Sequence, residues 1–116
     1  MTLIEINDIP PSLNRFIGRN NVHAYRKAKR EWDDLVYLFA IQKRPREPYK
    51  RAEVHIKFIF PDRRKHDVGN MEKFITDGLI KAGIIEDDNY MCIGELHLSG
   101  GYEAGVRKTI VGVAEK

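Results

Sequence analysis

The spacing of apolar residues changes period partway along this chain, and that change limits the folds open to it. Between Val22 and Arg44, the residues Tyr25, Ala28, Trp32, Leu35, Val36 and Phe39 recur mostly at intervals of three and four. That interval lines up one apolar stripe on a helix. Arg26, Lys27, Lys29 and Arg30 fall mostly off the stripe, Asn20 or Asn21 stands where a cap belongs, and Pro45 stops the helix. From Ala52 to Phe58 the period drops to two, the mark of a strand with one buried face.

A second helix is predicted from about Asn70 to Ala82, with Met71, Phe74, Ile75, Leu79 and Ala82 on one side and Gly83 as its C′ residue. Leu3–Ile6, Ile93–Leu98 and Lys108–Ala114 read as strands, the last two joined across Ser99-Gly100-Gly101 and the residues after it. The order predicts an α+β fold, a small mixed sheet of about four strands with two main helices packed on it. The 116 residues are expected to form a single domain, 1–116.

Composition removes several classes of function. No apolar run approaches the ~18 residues that cross a bilayer, and Met1–Glu5 has neither the basic nor the apolar region of a secretory leader. The single cysteine, Cys92, makes no internal disulfide, and no Cys/His cluster suggests zinc; His66 and His97 stand isolated in the sequence. A cytoplasmic location is the expectation.

Charge is distributed unevenly. Residues 1–65 hold 15 Lys/Arg against 8 Asp/Glu (+7), and residues 66–116 hold 5 against 9 (−4), which gives the net +3. A basic half beside an acidic half suits a protein that grips a polyanion and sets carboxylates against it.

The densest chemical signal runs from His66-Asp67-Val68-Gly69-Asn70-Met71-Glu72-Lys73, through Asp77-Gly78, to Glu86-Asp87-Asp88-Asn89. Asp67 precedes the second helix and Asp88 follows it. A helix of about 13 residues is ~20 Å long, so the two carboxylates meet only if the chain doubles back. At ~3.3 Å per residue, Gly83 to Asp88 covers roughly 16 Å, nearly the distance required. Together with Asp87 they would offer hard oxygen donors, which suit Mg²⁺ or Mn²⁺. Each residue also has an ordinary role open to it: Asp67 as a helix cap, Asp87-Asp88 as a solvated turn, and Lys73 with Asp77 as a surface pair on one helix face.

As an ordered series these residues are more specific. Asp-x-x-Asn-x-x-Lys, a helix carrying Asp-Gly-Leu, an Ala-Gly stop and a closing Asp-Asp resemble the RusA family of Holliday junction resolvases over about residues 52 to 98. Pro10-Pro11-Ser12-Leu13-Asn14 resembles that family's N-terminal loop, and Thr109–Val113 fits its last strand. The resemblance implies a homodimeric, Mg²⁺-dependent endonuclease that binds four-way DNA junctions, makes paired symmetric nicks and serves DNA recombination and repair. On that basis Asp67 and Asp88 match metal-binding aspartates, Lys73 the catalytic lysine, and Asn70 the asparagine opening the helix. Arg63, Arg64 and Lys65 immediately precede this segment and are the first candidates for DNA contact. Arg15 and Arg19, with the basic residues of the first helix, are the second.

One position departs from the family. Gly69 stands where the RusA pattern has another metal-ligating aspartate. Either the site works with fewer ligands, or Asp87 or Glu95 supplies the oxygen, or the protein binds junctions and cuts them poorly. A metal-free scaffold domain is the remaining alternative; it requires the aspartates to lie far apart. Pairing of two copies is expected through an apolar surface of the sheet or of the Trp32 helix.

Overall fold

The computed structural model describes residues 1–18 and 21–116. Its elements run β1 (Thr2–Ile6), α1 (Val22–Ala40), β2 (Ala52–Phe60), α2 (Glu72–Lys81), β3 (Ile93–Tyr102) and β4 (Lys108–Glu115), with short 3₁₀ turns at Leu13–Phe16, Ile41–Lys43 and Val68–Asn70. The strands form one sheet in the order β1-β4-β2-β3. β4 pairs antiparallel with both β1 and β2, while β2 and β3 are parallel and connected through α2. The sheet is therefore mixed, with two helices packed on it, as the apolar periods predict.

Alternation along β2 decides which face is buried. Val54, Ile56, Phe58 and Phe60 face the core, with Ile4 and Ile6 of β1 and Val111 and Val113 of β4. The helices cover them with Trp32, Val36 and Ala40 of α1 and Phe74, Ile75 and Leu79 of α2. Each fully buried large side chain in this cluster contributes on the order of 1.5–3 kcal/mol. Glycine 78 lets the helices approach closely: a methyl group there would stand 2.6 Å from Cβ of Val36. Trp32 itself lies in this core.

Boundaries shift for local reasons. Asn21 occupies the cap position of α1, yet its side chain makes no cap; it donates instead to the Ile17 carbonyl at 3.1 Å. Asn20 lies outside the described residues. Ser99-Gly100-Gly101, expected as a connection, belongs to β3, because Lys57, Phe58 and Ile59 continue the parallel ladder beside it. The second helix begins at Glu72 instead of Asn70, since Asp67 imposes a 3₁₀ turn first. Among the described residues, no helix is long and apolar enough to cross a membrane.

Candidate active site

Asp67 sets the entry to α2. In an extended conformation, its Oδ1 accepts from the Gly69 amide at 3.1 Å and its Oδ2 accepts from the Asn70 side-chain amide at 3.1 Å. The carboxylate thus satisfies one backbone donor that the turn leaves free and anchors the Asn70 side chain. It nevertheless remains exposed. Lys73, the second residue of α2, follows on this same end.

The far end of α2 turns the chain back. Gly83, at φ +77°, closes a Schellman motif: its amide donates to the Ile80 carbonyl and the Ile84 amide to the Leu79 carbonyl. Ile84 and Ile85 are then buried, and Ile85 bridges Tyr49 in the connection before β2. Tyr49 donates to the Ile84 carbonyl at 2.9 Å and accepts from the Glu86 amide at 3.1 Å, fixing the path of the return. This path delivers Asp88 to the first turn of α2, where Lys73 Nζ donates to Asp88 Oδ2 at 2.7 Å.

The electrostatics follow from that contact. Lys73 is also 3.1 Å from Asp77 Oδ1, one turn along its own helix. Asp88, against the opposing effect of partial burial, and then Asp77 hold the Lys73 ammonium well above the usual lysine range. Lys73 in turn holds the Asp88 carboxyl below the usual carboxylate range. Lys73 is therefore a fixed cation at neutral pH and is unsuited to act as a base.

Asp87 is tied into its own turn. Its Oδ1 accepts from the Asp88 amide at 2.8 Å and its Oδ2 from the Asn89 side chain at 3.1 Å, while Asn89 Oδ1 accepts from the Met91 and Cys92 amides. These bonds stiffen the turn that presents Asp88. Asp67, Asp87 and Asp88 do not place three ligand atoms within 4.8 Å of one another. Glu95 is no substitute, because it sits on the other face of the sheet with His97 and Lys116. Asp67 and Asp88, both at the head of α2, are the pair of hard oxygen donors that would suit a hydrated Mg²⁺ or Mn²⁺.

Basic residues gather around this end of α2. A cleft of about 520 Å³ is lined by Pro10, Pro11, Asn14 and Arg15 of the N-terminal loop and by Arg64, Lys65, Asp67 and Arg107. A neighbouring groove of about 620 Å³ runs past Phe60, Arg63, His66 and Tyr102. There the Arg63 guanidinium lies over the Tyr102 ring at 4.8 Å, and His66 stacks on Phe60 with centroids 3.9 Å apart. His66 is thus built into the groove and is not isolated.

Arg107 was not among the residues singled out from sequence, being a lone arginine in the acidic half. The antiparallel pairing of β1 with β4 brings it to Asp8, at 3.3 Å. The reverse holds for Lys29, which is committed to Asp77 and lies 3.7 Å from Asp33, so its charge is already answered within the fold. Arg19 falls outside the described residues.

The sequence model of the family Endodeoxyribonuclease RusA matches residues 8–110. The chain belongs to the RusA family. The match runs from Asp8 to Ile110, so the Pro10-Pro11-Ser12 loop, Asp67, Lys73 and Asp88 all lie inside the RusA region. The chain is also similar to the crossover junction endodeoxyribonuclease RusA of Aquifex aeolicus (strain VF5), with 41% identity over 58 residues. That stretch covers 50% of this chain and 44% of the relative, so it spans less than half of that RusA protein.

Proposed function

We propose that this chain is a metal-dependent endonuclease that binds four-way DNA junctions and resolves them by paired nicks, in the service of DNA recombination and repair. The observation that carries the reading is the return of Asp88 to Lys73 at the head of α2, on the same end as Asp67. Family membership and the name of the Aquifex relative support it.

Each group has a role in this reading. Asp67 and Asp88 would hold Mg²⁺ or Mn²⁺, and Asp87 shapes the turn from which Asp88 reaches. When bound, such an ion would supply a water of lowered pKa and neutralise charge on the attacked phosphate. Lys73 places a permanent positive charge beside Asp88, where it stabilises charge building on the phosphate or the leaving oxygen. Asn70 holds Asp67 in its rotamer and faces the DNA. Arg15, Arg63, Arg64, Lys65 and Arg107 take backbone phosphates, which gives affinity without sequence readout.

A four-way junction has approximate two-fold symmetry, and paired nicks need two sites related by a matching axis, so the active species is a homodimer. The lone Cys92 and the DNA substrate fit a cytoplasmic setting.

Gly69 favours a second reading, a junction-binding protein that cleaves weakly. The nearest neighbour of a side chain at this position is Asp67 Oδ1, 3.3 Å from where its Cβ would lie. A carboxylate at 69 would thus stand directly beside Asp67, and this chain has none there. Incubating a synthetic four-way junction with the protein and Mg²⁺ separates the readings. Paired nicks that vanish in Asp88→Asn support the endonuclease. Tight binding without nicks supports the weak cleaver, and neither binding nor nicking sinks both.

A further inference from the structure

Two histidines that are 42 positions apart in sequence face each other across the parallel pairing of β2 and β3. The register sets His55 opposite His97 and Glu53 opposite Glu95. Because Val54 and Ile56 point into the core, these four side chains occupy the opposite face of the sheet, away from α1, α2 and the Asp67–Asp88 site. The imidazoles stack with centroids 4.3 Å apart and planes 7° from parallel.

The spacing of their ligand atoms differs from that of a hydrogen-bonded cluster. Glu53 Oε2 is 3.4 Å from His55 Nε2, Glu53 Oε1 is 3.8 Å from His97 Nε2, and Glu95 Oε1 is 3.6 Å from His97 Nε2. Nitrogen–oxygen hydrogen bonds centre near 2.9–3.0 Å, so these pairs are wider than that. Around a tetrahedral ion with bonds of about 2.0–2.1 Å, neighbouring ligand atoms stand roughly 3.3 Å apart, a spacing these exposed side chains reach by turning about their own torsions. One ligand atom from each of Glu53, His55 and His97 falls within 4.8 Å of the other two. All three side chains are open to solvent, so an ion reaches them without any part of the core moving.

We propose that Glu53, His55 and His97 form a site for a Zn²⁺-class transition metal, separate from the proposed Mg²⁺ centre. Two imidazoles and one carboxylate are borderline-soft donors that favour Zn²⁺, Co²⁺, Ni²⁺ or Cu²⁺ over Mg²⁺, which demands oxygen ligands. A fourth position stays open to water, and Glu95, whose other oxygen is held by Lys116, borders it. Bound there, the ion ties the exposed edge strand β3 to the central strand β2.

The probe is Co²⁺, added to the untagged full chain in the presence of excess Mg²⁺, read by its visible absorption and by equilibrium dialysis. The expected result is one tightly held Co²⁺ per chain with the intense band of a four-coordinate ion, displaced by Zn²⁺. His55→Ala and His97→Ala should each abolish the band while the circular dichroism spectrum stays unchanged. Asp88→Asn should retain it. No binding to the folded protein at a tenfold excess of Co²⁺ overturns the proposal, as does binding lost in Asp88→Asn but kept in His97→Ala. Should a variant fail to fold, His97→Gln replaces it, with the same loss expected.

Discussion

Lys73 and Asp88 lie 15 positions apart in the chain and 2.7 Å apart in space, Nζ to Oδ2. Both side chains are partly exposed, at 45% and 31%, so as a structural ion pair this contact is worth no more than about 1 kcal/mol. Asp88→Asn should therefore leave urea stability nearly unchanged while abolishing junction cleavage. Lys73→Ala should lower the cleavage rate about 10²–10³-fold, the typical loss of one charge-stabilising group, with junction affinity little altered. Equal losses of stability and activity in both variants would count against the catalytic reading.

Acid should reach this pair late, below the range in which ordinary carboxylates protonate. The folded Asp88 carboxyl is held below its ordinary value of 3.8, chiefly by Lys73. Its contribution to stability is thus complete above that value and is lost as pH falls through the lower, folded one. Titration of the Asp88 side chain by NMR in Lys73→Met should move its midpoint upward. An unmoved midpoint would show that Lys73 is not the cause.

Gly69→Asp tests what the departure from the family pattern costs. Gly69 does not have a positive φ, so an aspartate fits without backbone strain. Its Cβ would lie 3.3 Å from Asp67 Oδ1, placing two like charges side by side. The expected outcome is slightly lower stability without metal, faster cleavage and a lower Mg²⁺ requirement. A rate and a Mg²⁺ requirement both unchanged would mean that no ligand is missing there.

Gly78 should tolerate no side chain. Its Cβ would lie 2.6, 2.8 and 2.9 Å from the three Val36 side-chain carbons, a contact that only movement of α1 against α2 relieves. Gly78→Ala should destabilise by about 1–3 kcal/mol despite alanine's better helix propensity. Val36→Ala in the same chain should restore part of the loss, a non-additivity that denaturant titration of the double mutant measures.

Salt dependence distinguishes cleft arginines from surface charge. Removing one phosphate contact reduces the slope of log affinity against log salt by about 0.9. Arg15→Ala, Arg64→Ala and Arg107→Ala should each do so, because their side chains line the cleft that holds Asp67. Lys29→Ala should leave the slope unchanged, since the Lys29 side chain is largely buried between Asp77 and Asp33, whereas Arg107 stays exposed beside Asp8. A slope lowered by Lys29→Ala alone would place the DNA on α1 instead.

Most elements and their buried faces were legible in the chain, because local period and turn chemistry act over a few residues. Alternation from Ala52 to Phe58, the stripe through Trp32 and Val36, and Gly83 as helix stop all hold in the structure. The sequence also carried the ordered series Asp67, Lys73, Asp88, whose spacing marks the family. Tertiary structure alone decided what meets across the fold. The Tyr49–Ile85 bridge steers Asp88 back to Lys73, parallel pairing sets His55 against His97, and antiparallel pairing brings Arg107 to Asp8. Asp33 is buried on α1, an acidic residue in a helix read only for its apolar stripe, because Lys81 of α2 reaches it at 3.0 Å. These relationships depend on strand register and helix crossing, which are set by packing between segments distant in the chain, so no local pattern encodes them.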